Sequence, residues 1–246
     1  MGSIIEVFPR GSRGAGLWRA VPLPGSGHVR VRQARLEDYA AIRGLQREAA
    51  PTFAGTTLKQ LESQRQAFAE GQLVAAGPEG IVGAASSLIV AWEEHAEGQS
   101  WRSVTAEGTF TTHDPKGSTL LCVELVAAES RGSGVARGLY RTLRRLARKL
   151  NLRRIVAAAR MPGYHRAREE MSPELYVQRV IWGASRDAGL QAPLSDGFQY
   201  CGVVRNYMPE DVESGGNAAL LVWLNPAYSP TEPPANLEAV RPRKCA

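Results

Sequence analysis

Apolar residues recur along the chain at two spacings, and each spacing marks a different kind of element. His28–Ala34 alternates valine with arginine, which is typical of a strand with one buried face. Leu73–Ala76 and Ile81–Val90 are apolar runs joined by a Gly-Pro-Glu-Gly turn, so they indicate two adjacent strands. Between the first strand and Leu73 the pattern predicts two helices. One is capped by Asp38 and carries Ile42 and Leu45, and the other covers Leu58–Ala69.

The most regular pattern lies in the middle of the chain. Leu120–Ala128 is apolar except for Glu124, which indicates a buried central strand. A helix follows, and its apolar residues recur every three or four positions, at Val135, Leu139, Leu143, Leu146 and Leu150. Because Ile155–Ala159 indicates the next strand, the segment predicts a βαβ unit and a protein of the α/β class.

The rest of the chain is less regular. Trp92–Lys116 is polar and is interpreted as a long loop or an irregular hairpin. Further on, Met171–Ala184 indicates a helix, and Cys201–Asn206 and Ala218–Leu224 indicate two late strands.

Both ends of the chain differ in composition from the middle. Residues 1–27 are rich in Gly, Pro and Arg and indicate a flexible arm, and residues 227–246 indicate a Pro-rich tail. Residues 28–226 are therefore predicted to form one domain.

Composition and charge narrow the possible functions. Of the 246 residues, 43% are hydrophobic and 22% charged, which is typical of a globular protein. No apolar run approaches the roughly 20 residues of a membrane span, and no secretory leader opens the chain, so no membrane partner is expected. The three cysteines and four histidines show no metal-ligand spacing, which predicts reduced thiols, no metal site and a cytoplasmic location. The net charge of +6 favours a polyanionic partner such as nucleic acid, anionic lipid or a phosphorylated cofactor.

The loop between the central strand and the long helix carries the strongest chemical signal. Arg131-Gly132-Ser133-Gly134 stands where a helix begins, so its amides and the helix dipole can hold a phosphate. No Gly-Lys-Ser/Thr follows, and the Gly pattern of a dinucleotide fold is missing, so neither of those phosphate-binding motifs is present.

Arg131, Gly134 and Ala136 match the pattern R-x-x-G-x-A, which resembles the pyrophosphate-binding motif Q/R-x-x-G-x-G/A of the GNAT superfamily of N-acyltransferases. The resemblance extends over roughly residues 28–226 and includes Gly197-Phe198, similar to the late Gly-Phe pair of that family. It implies a central mixed, mostly antiparallel sheet flanked by helices. A narrower likeness, to GNAT domains fused ahead of nitrilase-like hydrolases, rests on four segments: Arg160 to Tyr164, Met171 to Pro173, Asn206-Tyr207 with Asp211, and Trp223 to Pro226.

The resemblance also implies which residues bind the donor, acetyl-CoA. In GNAT proteins the strand before the loop separates from its neighbour, and its backbone pairs with the pantetheine arm. That role falls on Leu125, Val126 and Ala127. The pyrophosphate would be held by Arg131, Gly132, Ser133, Gly134, Val135 and Ala136.

Glu124 is the candidate catalytic base, because many GNAT enzymes use a glutamate on this strand and an acceptor amine must lose a proton before it attacks. The alternative is a carboxylate held by an arginine or a backbone donor. By two-residue periodicity, Cys122 is predicted to share a strand face with Glu124. Cys122 is then either a small buried hydrophobe or the site of a covalent acyl intermediate.

The tyrosine that the family often uses as general acid is missing from residues 191–196, before Gly197. Tyr164, Tyr176 and Tyr207 are possible substitutes, and unassisted departure of the thiolate is the alternative. His113 and His165 fall in predicted loops and are weaker candidates.

The resemblance therefore predicts an enzyme that moves an acetyl or related acyl group from acyl-CoA to a primary amine by direct attack in a ternary complex. The amine belongs to a small molecule or a peptide. The alternative is a catalytically silent acyl-CoA sensor. A distant third is a nucleic-acid binder that uses the basic helix face, Arg137, Arg141, Arg144 and Arg148, although Tyr140 is the only aromatic residue there. The sequence leaves monomer and homodimer open.

Overall fold

The computed structural model describes residues 20–22, 28–92, 99–128 and 133–231. Most of the predicted arm and the end of the predicted tail fall outside these ranges, as do the loop residues Arg131 and Gly132. The domain boundaries therefore stay a prediction, although three residues of the arm, Ala20–Pro22, form a strand. No helix within the described ranges is long and apolar enough to cross a bilayer.

One mixed sheet organises the described residues. Its eight strands are β1 (Ala20–Pro22), β2 (His28–Gln33), β3 (Leu73–Gly77), β4 (Gly80–Val90), β5 (Thr119–Ala127), β6 (Arg154–Ala159), β7 (Gln199–Val204) and β8 (Ala218–Leu224). They lie in the order β1-β2-β3-β4-β5-β6-β8-β7. Among the described strands, only β5 and β6 are parallel, and every other neighbouring pair is antiparallel. The predicted mixed, mostly antiparallel sheet is confirmed.

Six α-helices flank the sheet in the described ranges: α1 (Tyr39–Ala49), α2 (Leu58–Phe68), α3 (Trp101–Thr105), α4 (Ser133–Lys149), α5 (Pro173–Ile181) and α6 (Ala188–Ser195). The predicted loop at 92–116 contains the short helix α3. The sequence also missed α6, because Pro193 lies inside it and its apolar face is weak. The helix α5 lies within the predicted helix Met171–Ala184 and begins at Pro173, where Ser172 caps it by accepting the Leu175 backbone N–H.

The two faces of the sheet are covered by different helices. Leu73 and Ala75 belong to the core cluster that also contains the apolar stripe of α4, which is buried as predicted. Val74 points the other way, into a cluster with Ile42 of α1 and Leu61 of α2. The strand β5 therefore runs between α4 on one side and the α1–α2 pair on the other.

Asp38 precedes α1 but does not cap it, contrary to the prediction. Its carboxylate accepts the Arg35 backbone N–H at 2.8 Å and two guanidinium N–H groups of Arg32 at 2.6 and 2.7 Å. Burial alone would raise the pKa of Asp38, but these bonds outweigh it and hold the pKa below its ordinary value. Because Arg32 lies in β2, the pair fixes the entry of α1 to the sheet.

Gly83 sets how closely α4 approaches β4. A β-carbon on Gly83 would lie 2.6 Å from Cγ1 of Val135 in the first turn of α4, whereas a β-carbon on Gly44 of α1 would meet nothing within 4 Å. We expect Gly83→Ala to lower the free energy of unfolding by about 1–3 kcal/mol through overpacking. Gly44→Ala, the matched control, should raise it by about 0.5–1 kcal/mol because alanine favours a helix. Urea unfolding measures both, and equal effects of the two changes would contradict the close approach.

Candidate functional site

The parallel strands β5 and β6 stay together for only part of their length. Their pairing ends at Cys122 and Ala157, although β5 continues to Ala127 and β6 to Ala159. Over residues 123–127 the edge of β5 that faces β6 has no partner strand in the described part of the chain. An open strand edge inside a sheet can pair with an extended ligand, because its backbone N–H and C=O groups point into the gap.

A β-bulge in β5 lies at the point where the strands separate. Ser86 of β4 lies opposite Glu124, but the next residue, Ser87, lies opposite Cys122, so Val123 is an extra residue in β5. A bulge bends its strand and increases the local twist. This accounts for β5 following β4 while it leaves β6.

The bulge also reverses the alternation of side chains, so the prediction that Cys122 and Glu124 share a face is wrong. Cys122 packs in the core cluster that contains Leu139 of α4. Glu124 instead points toward α1, where it contacts Gln46. Burial, with a further contribution from Glu124, raises the pKa of Cys122 to about 12. Since the thiolate is the reactive form, this disfavours a covalent acyl-cysteine route.

The predicted pantetheine-binding residues lie on the open segment of β5. Leu125, Val126 and Ala127 pair with β4 on one side, opposite the three residues Ala85, Ala84 and Gly83. Their backbone groups on the other side face the gap. This arrangement fits the predicted role, which itself stays a prediction.

The start of α4 lies just beyond the open end of β5. The first helical residue is Ser133, and Val135 and Ala136 are buried, so only the backbone of these two can face a ligand. The first N–H groups of a helix have no partner inside it and carry partial positive charge. Arg131 and Gly132 lie outside the described residues, and their phosphate-binding role stays a prediction.

Glu124 is held by a glutamine on the opposite helix. Gln46 is 4% exposed, and its Nε2 donates to Glu124 Oε2 at 2.6 Å and to Thr56 Oγ1 at 2.9 Å. Its Oε1 accepts the Thr56 backbone N–H at 3.0 Å. One buried amide thus connects the carboxylate to the loop between α1 and α2.

A small cavity adjoins this carboxylate between the sheet and the α1–α2 pair. Its polar lining consists of Gln46, Thr56, Gln64, Gln72, Ser86 and Glu124. The buried Oε1 of Gln72 has no hydrogen-bond partner in the described part of the chain. A polar cavity of this kind suits water, which would let protons reach or leave the carboxylate.

The surroundings of Glu124 move its ionisation toward neutral pH. Burial raises its pKa, and the hydrogen bond from Gln46 and the charges of Arg43 and Arg160 oppose that shift only in part. A carboxyl group with a raised pKa is a stronger base in its ionised form than an ordinary surface glutamate. The arrangement therefore suits proton uptake.

A second polar group lies at the end of β6, around Arg160. Arg160 donates to both oxygens of Asp211, at 2.7 and 2.8 Å, and to Glu213 Oε2 at 2.7 Å. Its guanidinium also stacks 4.5 Å from the ring centre of Phe53. Ser214 donates to the same aspartate at 2.6 Å. The group joins the α1–α2 loop to the β7–β8 loop across the mouth of the gap.

The three tyrosines considered as general acids differ in their contacts. Tyr164 donates to the carbonyl of Met171 at 3.1 Å, and Tyr176 donates to Asp187 at 2.8 Å. The hydroxyl of Tyr207 is buried and has no partner in the described part of the chain. Its ring belongs to the cluster that contains Leu121 of β5 and Val156 of β6, next to the point of separation. Of the three tyrosines, Tyr207 is therefore the one whose hydroxyl can bond a substrate without first breaking a hydrogen bond to a described residue.

The two candidate histidines are occupied elsewhere. His113 accepts the Ile89 backbone N–H at 3.1 Å and stacks on Phe68, and burial lowers its pKa. His165 is exposed, and its Nδ1 lies 2.6 Å from the carbonyl of Pro162. Neither is bonded to Glu124.

The basic face of α4 is partly used within the protein. Arg144 bonds the carboxylate and the carbonyl of Asp196 and lies over the ring of Trp223, and Arg148 lies 5.4 Å from the same ring centre. Arg137 and Arg141 are exposed. The distant alternative of a nucleic-acid binder that uses this face stays untested.

A mixed sheet whose single parallel pair opens beside a helix N-terminus defines the fold of the acyl-CoA N-acyltransferases. Comparison with known proteins agrees. The chain is 33% identical over 170 residues to the uncharacterized N-acetyltransferase YkwB of Bacillus subtilis (strain 168), an alignment that covers 69% of this chain and 75% of that protein. The chain belongs to the GNAT superfamily of acyltransferases.

Two further comparisons extend this result. The chain is 32% identical over 203 residues to the probable hydrolase YhcX of B. subtilis, an alignment that covers 82% of this chain but only 40% of that protein. The GNAT-like decarboxylase GphF, solved with isobutyryl-CoA, superimposes with a TM-score of 0.66 at 24% identity, over 79% of this chain and 98% of the other. No model of a known protein family matches. The likeness to hydrolase-fused GNAT domains stays a prediction.

Replacing Gln46 should raise the pKa of Glu124 further. Because the Gln46 hydrogen bond stabilises the charged carboxylate, Gln46→Leu removes a contribution that lowers the pKa. Carboxyl-carbon NMR of protein labelled at glutamate measures the titration, and the signal absent from Glu124→Gln identifies the residue. Gln178→Leu, on an exposed position of α5, should leave the titration unchanged. An unchanged or lower pKa in Gln46→Leu would mean that the amide does not support the charge.

Proposed function

We propose that this protein transfers an acetyl or related acyl group from acyl-CoA to a primary amine, by direct attack of the amine within a ternary complex. The observation that carries the proposal is the opening between β5 and β6, with the start of α4 at one end and Glu124 on the bulged strand. The superfamily and the N-acetyltransferase name of the relative YkwB support the same chemistry.

The donor site is built mainly from backbone. The open edge of Leu125, Val126 and Ala127 would pair with the pantetheine amides of the acyl-CoA. The segment from Arg131 to Ala136 would hold the pyrophosphate with its amides at the start of α4. That GphF was solved with isobutyryl-CoA supports an acyl-CoA donor.

Glu124 acts as the general base in this proposal. An alkyl ammonium has a pKa near 10, so its nitrogen must lose a proton to become a nucleophile. The Glu124 carboxylate takes that proton directly or through water in the adjoining cavity. The amine then attacks the thioester carbonyl, and the C–S bond breaks as the amide forms.

Tyr207 is the group that we assign to the leaving thiolate. Burial raises the pKa of its phenol, so the hydroxyl keeps its proton at neutral pH and can donate a hydrogen bond to the leaving thiolate. Its lack of a partner within the described residues supports a role that is completed by substrate. The acceptor is a small-molecule or peptide amine, and a cytoplasmic location stays the expectation.

The general test is a transfer assay. The protein is mixed with acetyl-CoA and a panel of peptides, polyamines, amino acids and aminoglycosides, and released CoA is measured with a thiol reagent. Transfer to at least one class is expected. Calorimetric binding of CoA without turnover on any amine would instead favour the silent acyl-CoA sensor.

We expect Glu124→Gln to reduce kcat by about 10²–10⁴ while the affinity for CoA stays unchanged, since only the base is removed. In the wild type the rate should rise with pH through the raised pKa of Glu124, because its basic form exists above that pKa. In Glu124→Gln the rate should no longer rise through this pKa, and its pH dependence should follow the ionisation of the amine alone. Glu48→Gln, an exposed position on α1, is the matched control. If Glu124→Gln kept the pH profile of the wild type, Glu124 would not be the general base.

Tyr207→Phe should slow turnover and stabilise the protein at the same time. Loss of this hydrogen-bond donor should reduce kcat by roughly 10²-fold. Loss of an unpartnered buried hydroxyl should raise the free energy of unfolding by about 1 kcal/mol. In the control Tyr176→Phe, Asp187 loses a hydrogen bond, so stability should fall instead. Full activity in Tyr207→Phe would mean that the thiolate leaves without help from Tyr207.

A further inference from the structure

Arg43 of α1 lies against the loop that follows its helix. A β-carbon on Gly55 would lie 1.8 Å from the Arg43 Nη1 atom, so the guanidinium rests directly against the backbone of this glycine. Gly55 also has a φ of +63°, which other residues rarely adopt. The Arg43 side chain and the loop at Gly55 are therefore closely packed.

A single amide separates this cation from the proposed base. Arg43 Nη1 lies 3.4 Å from Gln46 Oε1, and Gln46 Nε2 donates to Glu124 at 2.6 Å. Arg43 is close enough to lower the pKa of Glu124, but the two form no ion pair. The other arginine that acts on Glu124, Arg160, is already paired with two carboxylates. In the described part of the chain, Arg43 has no carboxylate partner.

We propose that Arg43 binds a carboxylate of the acceptor, and that the acceptor is an amino acid whose amine lies at Glu124. The inference rests on the proposed function and names its substrate class. An arginine fork matches a carboxylate in shape and charge. The width of one amide between the two groups suits an amine and a carboxylate that are separated by one or two carbons.

The charge balance during the reaction favours the same acceptor. When Glu124 takes the proton of the amine, it loses its negative charge, and the charge of Arg43 is left without an offset nearby. That positive charge disfavours proton uptake and repels an incoming ammonium group. A carboxylate on the acceptor supplies the missing negative charge, whereas a simple amine does not.

Matched pairs of acceptors test the proposal. Amino acids are compared with their own carboxamides, which keep the amine and lose the charge. In the wild type, kcat/KM should be about 10–100-fold higher for the acids, as expected for a charged hydrogen bond. Arg43→Gln should lose this preference by slowing the acids alone, and Arg43→Lys should keep part of it. Arg47→Gln, on an exposed position of the same helix, should retain the wild-type preference.

Two results would overturn the proposal: carboxamides that react as well as the acids, or an Arg43→Gln variant that slows both alike. If the protein transfers to no amine at all, the proposed function fails, but the site can still be judged by binding. Calorimetry with CoA-saturated protein then compares an amino acid with its carboxamide. Tighter binding of the acid that Arg43→Gln abolishes supports the site, and equal or undetectable binding rejects it.

Discussion

A strand inside a sheet normally bonds to a neighbour on each side, and β5 does so only up to Cys122. The extra residue Val123 bends the strand so that it follows β4 and leaves β6. The opening, the exposed backbone edge and the direction of Glu124 all depend on this one insertion. Without it, the carboxylate would point into the α4 core, where an ionised group is costly to bury.

The helices on the two faces of the sheet hold the opening in different ways. On one side, α4 is fixed by its buried leucine stripe and by close contact with Gly83. On the other, α1 is fixed by the Arg32–Asp38 pair and reaches the cleft through Gln46. The α4 side of the opening is thus held by apolar packing, while the α1 side is held by a network of hydrogen bonds. In the proposed function, this division suits one shared donor and an acceptor that is selected by polar contacts.

The sequence predicted the parts of this arrangement that periodicity can reveal. The stripe of α4 and the βαβ unit follow from regular spacing, and both are confirmed. The bulge at Val123 lies in an almost wholly apolar run, where two-residue alternation cannot show a change of phase. Gln46 was missed because it acts through Glu124, a partner far away in sequence. The resemblance to GNAT proteins had already included Arg160 and Asp211, but their ion pair joins distant positions of the chain, so the sequence does not show it.

Buried polar groups near the cleft differ in how completely they are bonded. Asp211 accepts from Arg160 and Ser214, and Asp187 accepts from Tyr176 and from two backbone N–H groups, so both serve the fold. Four buried side-chain atoms lack a partner among the described residues, and two of them, the Tyr207 hydroxyl and Gln72 Oε1, lie near β5. Leaving such a group unbonded lowers the stability of the fold by about 1–3 kcal/mol, and no contact in the described part of the fold compensates for this cost. The cost is understandable if substrate or water completes these bonds, because the same atoms then contribute to the reaction.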